Sequence, residues 1–414
     1  MIIINDAKFI KLDNGLTILI YSDNSKISNH IELVTFLGGK CRNVMDNDGN
    51  SFDILPGSAH FLEHFICERN INGNLIDNLK EMGALSSNAM TGNYDTSFYV
   101  DTVVSFDECL DMFLNSVYHP VFNKKNIDDT RGPVLCEIRD DNDNFRRKIS
   151  YRVMSNVFAN NVKTLGNKSS VKRITASYLK KLYDYSYVPC NQLLVLAGSF
   201  DSDKVLDRIK AFYDKLSFKC NNRISYDKEK KEVIKKRDVF ICDIMEQGLI
   251  SFKIDVSGFT DFERYKLDWY FGAFSLINFS KYFDISESIS NNSFYKGNIS
   301  YSKGDFGDYV LFEVSVYTDR YDEFENLVMT TIDNFKNNTR EEFEYYKKHC
   351  KTEVSVRKDS ISGYIIPIMQ NYIQFNYPFD DTIDFIDSLN YDEYIAMIGR
   401  LDFSNYSYLC IKKK

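Results

Sequence analysis

Apolar positions along the chain divide it into two stretches of similar make-up. Near the start, Phe9–Leu12 and Thr17–Tyr21 flank Asp13-Asn14-Gly15, and an Asn-Gly step supplies the positive φ angles of a tight hairpin turn. Ile31–Leu37 is a mostly apolar run closed by Gly38-Gly39, which reads as a buried strand. The polar stretch Asn43–Asp53 predicts a loop. Pro56–Arg69 then shows helical period, followed by Asn72–Met82 with Gly83 at a helix C-cap position. Ser86–Val103 alternates as a strand pair turned at Gly92-Asn93. Helices are predicted over Ser105–Val117, Lys124–Asn144 (interrupted and kinked at Gly132-Pro133), Phe145–Ala159, Ala176–Tyr185 and Ser202–Leu216. Between the last two lies a buried strand, Gln192–Leu196.

Lys219–Arg237 breaks the pattern, with Lys228-Glu-Lys-Lys-Glu and Lys235-Lys236-Arg237 and few apolar residues. Such a run reads as a solvated connector, with a docking patch as the alternative. Beyond it the order begins again. Strands Val239–Asp243 and Leu249–Val256 precede a helix, Phe262–Phe279. Strands near Ser300 and at Tyr309–Val316 precede helices Asp322–Phe335 and Arg340–Asp359, and the end is a helix, Asp392–Ile398, and a strand, Tyr406–Ile411. Strands and helices come in runs, so the fold class is α+β. The expectation is two homologous sandwich-like domains, 1–218 and 238–414, each a mixed or antiparallel sheet packed with helices, joined by the charged linker 219–237.

Composition narrows the function. With 414 residues, 44% apolar and 15% aromatic, there is material for large cores and disorder is excluded as the main state. A net charge of −8 argues against a nucleic-acid binder, and the many Tyr and Phe lack the basic residues that a base-stacking surface needs. Nine cysteines, odd in number and without a C-x-x-C pair, read as reduced thiols of a cytoplasmic protein. Met1-Ile-Ile-Ile-Asn-Asp lacks the basic start of a signal peptide, and no apolar run is long enough to span a membrane.

The informative segment is Pro56-Gly-Ser-Ala-His-Phe-Leu-Glu-His-Phe-Ile-Cys67. On a helix, Ala59, Leu62, Phe65 and Ile66 form an apolar stripe, while His60, Glu63, His64 and Cys67 share another face. Two imidazoles four residues apart can ligate one zinc ion, and the Glu between them is held close enough to act as a base. This is the H-x-x-E-H order of inverted zincins. The plainer alternative is a pair of solvent-facing histidines. Catalytic zinc takes a third protein ligand, leaving the fourth position open. About seventy residues on, Glu137 falls between apolar neighbours in Val134-Leu-Cys-Glu-Ile138. Cys67 reads as a small buried thiol before it reads as a ligand, and His30, His119 and His349 have no ligand spacing.

Taken together, His60-Phe-Leu-Glu-His64, Gly83-Ala84, Asn88-Ala-Met-Thr91 and Leu135-Cys-Glu-Ile138 resemble the pitrilysin/insulinase metallopeptidases, a family that includes mitochondrial processing peptidase. Leu12-Asp-Asn-Gly-Leu16, Tyr187-Val-Pro-Cys-Asn191 and Leu196-Ala-Gly198 are similar to its other landmarks, in order over the first 200 residues or so. The resemblance implies one Zn2+ per chain held by His60, His64 and Glu137, with Glu63 as the catalytic base. It implies that Asn88, Ala89, Met90 and Thr91 form the edge onto which an extended peptide is added through main-chain hydrogen bonds; an ordinary sheet strand is the alternative. It also implies a half clam-shell chain that cleaves short or unfolded peptides, such as a small precursor or leader peptide, in a chamber completed by a second chain.

Two departures stand out. Where the family usually has a supporting Glu seven residues before the ligating one, this chain has Thr130, whose hydroxyl can hydrogen-bond but brings no charge. The family's C-terminal Arg and Tyr are not found as a pair: Tyr295 and Tyr301 are candidates, but Ser288 and Phe294 precede them and no Arg lies between Arg264 and Arg320. The expected partner is therefore a related non-catalytic subunit that supplies the pair, with a homodimer second. Neither nucleic acid nor membrane is expected as a partner. The competing reading is a non-catalytic structural or partner subunit of a processing-peptidase-like complex.

Overall fold

Three sheets organise the chain, and the computed structural model describes residues 2–4, 6–46, 51–218, 220, 222–280, 300–375, 377, 379 and 382–414. Two compact units result. The first comprises Met1–Lys148, Asn160–Lys228 and Lys358–Gln370, the second Ile149–Ala159, Glu229–Arg357 and Asn371–Lys414, so neither is one continuous stretch of sequence.

The first unit holds strands β1 (Ile2–Ile4), β2 (Ala7–Lys11), β3 (Thr17–Ser22), β4 (Asn29–Thr35), β5 (Cys41–Asp46), β6 (Ser51–Asp53), β7 (Ala84–Thr91), β8 (Thr96–Thr102), β9 (Gln192–Gly198) and β10 (Asn222–Tyr226). Its helices are α1 (Ser58–Glu68), α2 (Leu75–Glu81), α3 (Phe106–Tyr118) and α4 (Lys124–Asp143), and, after α5 (Phe145–Val157), α6 (Lys168–Lys172), α7 (Ala176–Ser186) and α8 (Ser202–Tyr213). Seven strands pair in the order β1-β2-β3-β9-β4-β8-β7, which leaves β7 at an edge. Among the described residues of this sheet, β3 and β9 are the one parallel pair. Residues Ile31, Leu33, Phe98, Val100, Leu194 and Leu196 share one face and pack with Phe61, Leu62, Phe65 and Phe113 of the helices, as the two-residue period of a strand requires.

The opposite face carries a buried ionic group. His30 of β4 is 2% exposed; its Nδ1 lies 2.8 Å from Asp101 and its Nε2 3.2 Å from Glu32. Burial works to lower the imidazole, but the hydrogen bonds with Asp101 and Glu32, and their charges, push it up to about 9. A group raised on folding stabilises fully below its unfolded value of about 6.5 and loses that contribution as pH climbs through the folded value. The protein is expected to lose on the order of 3 kcal/mol of unfolding free energy between pH 6.5 and 9.5 from this site. Urea titrations at the two pH values check it, with a His30→Gln variant expected to flatten the difference.

Three expectations need correction. Of the expected loop Asn43–Asp53, residues 47–50 lie outside the described residues, and the rest is strand: β5 and β6 pair with each other, and β10 adds to β5, giving the order β10-β5-β6. Ladder hydrogen bonds are made by the backbone, so polar side chains did not prevent it, and β10 comes from within the charged segment 219–237. Nor does Pro133 interrupt its helix, which runs on from Lys124 to Asp143. A proline removes one backbone donor, and the buried stripe Ile127, Thr130, Val134 and Ile138 holds the rest of the helix against the core. Finally, the cysteines are not all free thiols. Cys190 and Cys220 form a disulfide with Cα atoms 5.8 Å apart, a pairing no sequence spacing reveals, and the cytoplasmic expectation loses the thiol argument on which it rested.

The second unit carries β11 (Arg237–Cys242), β12 (Gln247–Asp255), β13 (Ser300–Phe306), β14 (Tyr309–Val316) and β15 (Tyr406–Lys413), ordered β11-β15-β12-β14-β13. Against this sheet pack helices α9 (Asp261–Ser275), α10 (Tyr321–Asp333), α11 (Arg340–Arg357), α13 (Ile383–Ser388) and α14 (Tyr391–Ile398), while α12 (Ile361–Phe375) contributes residues to both units. The fold is mixed α+β. Among the described residues no helix is long and apolar enough to cross a membrane.

Candidate metal centre

The helix α1 begins at Gly57, which adopts a left-handed φ of 87°. A Cβ there would lie 2.6 Å from the carbonyl oxygen of Leu165, so only glycine fits the close approach. Ala59, Phe61, Leu62, Phe65 and Ile66 sink into the core, which leaves His60, Glu63 and His64 on the remaining face. Cys67, at 9% exposure, packs into the core too, where burial pushes its thiol far up.

Ligand atoms of His60, Glu63 and His64 all lie within 4.8 Å of one another. The two imidazoles are set edge to face, 4.7 Å between centroids. Helix α4 packs across α1 and brings Glu137 over them: its Oε2 is 3.3 Å from Nε2 of His60 and 3.2 Å from Nε2 of His64. Neighbouring ligands of a tetrahedral ion with bonds of about 2.0–2.2 Å are about 3.3–3.6 Å apart. The two imidazoles and the carboxylate have the chemistry of a zinc set, and the distances from Glu137 to each imidazole fit that spacing. Hydrogen bonds with His60 and His64, and then their charges, hold the Glu137 carboxyl well below the usual carboxylate range. For His64, burial works downward, but the hydrogen bond to Glu137 and the charges of Glu63 and Glu137 outweigh it and raise the imidazole.

Glu63 is also held from another side. Its Oε2 accepts a hydrogen bond from the Thr91 hydroxyl at 2.5 Å. Strand β7 alternates: Ala89 and Thr91 are half-buried, whereas Asn88 and Met90 are exposed, Met90 at 61%. The four residues Asn88–Thr91 therefore present two faces, and Thr91 belongs to the one that meets α1. The amide oxygen of Asn88 is occupied locally, accepting from Ala89 N–H at 2.9 Å.

Thr130 lies wholly buried two turns before Glu137, and its hydroxyl has no hydrogen-bond partner among the described residues. The supporting bond expected of it is not made. Nδ1 of His60 is likewise buried without a partner among them, so the second nitrogen that usually fixes a ligating imidazole has nothing to hold it. Tyr295 lies outside the described residues, while Tyr301 stands in β13. Sequence reading missed Thr96, buried beside Thr91; the alternation of β7 and β8 was the signal that could have found it.

Comparison with known proteins decides the family. Residues 51–168 match the profile described as insulinase (peptidase family M16), and residues 173–350 match that of the peptidase M16 inactive domain. The chain belongs to peptidase family M16. Within that family it is 24% identical over 212 residues to a Rickettsia felis protein named uncharacterized zinc protease, the match covering 50% of this chain and 49% of that one. A protein of the same designation from Streptomyces coelicolor is 25% identical over 171 residues, covering 39% of this chain and 36% of its own. The matched stretch thus spans about half or less of these relatives' length. Among solved structures, an M16-like chain of Alicyclobacillus acidocaldarius superposes with a TM-score of 0.87 at 19% identity, covering 99% of this chain and 98% of that one. The periplasmic protease PqqL of Escherichia coli does so with 0.77 at 18%, covering 99% of this chain and 48% of its own.

Proposed function

We propose that this M16 chain is a zinc-dependent endopeptidase, binding one Zn2+ through His60, His64 and Glu137 and using Glu63 as its general base. The observation that carries the reading is that Oε2 of Glu137 lies 3.2–3.3 Å from Nε2 of both His60 and His64, beside a second carboxylate, Glu63, that Thr91 holds by a hydrogen bond. A bound zinc ion would supply a Lewis acid for the scissile carbonyl and for the attacking water. Glu63 accepts the proton of that water and returns it to the leaving amine. The exposed edge β7 offers unpaired main-chain groups to an extended peptide, a mode of recognition tolerant of side chains. Short or unfolded peptides, including small precursor or leader peptides, are the substrate class this favours.

The absence of any arginine between Arg264 and Arg320 leaves the charge that would stabilise an oxyanion to a second chain, and a related non-catalytic subunit is the proposed partner. The same absence, with a Thr130 hydroxyl that has no partner among the described residues, favours the alternative of a non-catalytic subunit. Elemental analysis of the purified chain, alone and with its genomic neighbour if that is a relative, separates the two. The enzyme reading expects one zinc per chain and cleavage of an unstructured peptide that a chelator abolishes and zinc restores. A metal-free chain inert in both settings leaves the scaffold.

A further inference from the structure

Strand addition gives Thr91 only a backbone role, yet its side chain points the other way, into the candidate site. Its hydroxyl donates to Glu63, and behind it stands Thr96, wholly buried, whose hydroxyl lies 2.8 Å from the carbonyl oxygen of Leu37 and 3.3 Å from the Thr91 hydroxyl. The two threonines are cross-strand partners at the turn end of the β7–β8 hairpin. That turn is itself clamped. Gly39 and Lys40 N–H donate to the carbonyls of Gly92 and Asn93 at 3.0 and 2.8 Å, and Gly92 N–H donates to Asp95 O at 2.8 Å. A Cβ on Gly38 would come within 2.4 Å of Tyr94 N, so the Gly38-Gly39 segment lies directly against the turn. Contacts thus run without a break from that segment, through the hairpin, to the base.

We propose that Thr91 is a positioning residue for Glu63, its hydroxyl holding one carboxylate oxygen so that the base is fixed before substrate arrives. A glutamate has three side-chain torsions to settle, and a fixed donor removes that ordering cost from the reaction itself. The same residue ends the edge strand proposed to carry the peptide, so substrate and base are registered by a single strand. This inference rests on the peptidase reading.

The test compares wild type with Thr91→Val, which loses the hydroxyl at similar size, Thr91→Ser, which keeps it, and Glu63→Gln. For Thr91→Val, kcat on an unstructured peptide is expected to fall roughly 10–100-fold, the scale of a misplaced catalytic group, with KM and zinc content unchanged. Thr91→Ser should recover most of the loss, and a crystal structure of Thr91→Val should show the Glu63 carboxylate turned away from its wild-type position. Wild-type kcat in Thr91→Val, a loss confined to KM, or a Ser variant as impaired as the Val variant overturns the proposal. If zinc-loaded wild type cleaves nothing, the peptidase reading has failed, and the position of Glu63 in the two crystal structures still decides whether Thr91 places it.

Discussion

Replacing Glu63 by Gln is expected to lower peptide cleavage by about 10²–10⁴-fold, the usual contribution of a positioned general base, while leaving zinc bound. The amide oxygen of Gln can still accept the hydroxyl of Thr91 that now reaches Glu63, so the side chain keeps its place and loses only its capacity to take a proton. Glu63 is not among the three proposed ligands, and for that reason metal content should not change. Initial rates on an unstructured peptide, with elemental analysis of the same preparation, check both halves. A variant that retains wild-type rates removes Glu63 from the mechanism; one that loses zinc as well makes it a ligand.

The second large effect is on the metal. Glu137→Gln is expected to weaken zinc binding by more than the roughly 10–100-fold that follows loss of a hydrogen bond behind a ligand, because it removes the only anionic member of the set. Glu137 is the donor that meets both imidazoles, at 3.3 and 3.2 Å, and its carboxyl is held ionised by them. An uncharged amide cannot offset the charge of a divalent cation, and two neutral imidazoles alone leave the ion under-coordinated. Competition against a zinc-chelating dye measures the change. Zinc retained at wild-type affinity would take Glu137 out of the centre and return Cys67 or Glu63 to consideration.

Much of this was legible along the chain. The hairpin around Asn14-Gly15, the buried strand from Ile31 and the helix bearing His60, Glu63 and His64 all stand close to where residue periodicity put them, because each depends on side chains within a few residues of one another. The polar strand β5 escaped notice because one of its two partners, β10, lies some 180 residues further on, and nothing local marks a strand stabilised that way. Cys190 and Cys220 met for the same reason, their partnership being set by how the chain returns.

At the candidate centre the division is equally clear. A period of 3.6 residues is a property of the helix alone, so placing His60, Glu63 and His64 together required only their spacing. Nothing in that spacing could say that α4 would cross α1 closely enough to set Glu137 against both imidazoles, or that Thr91 would turn toward Glu63 rather than toward a peptide. Those are contacts between elements far apart in sequence, settled by the packing of a sheet edge and two helices around a shared core, where the free energy is that of buried surface and belongs to no single stretch of residues.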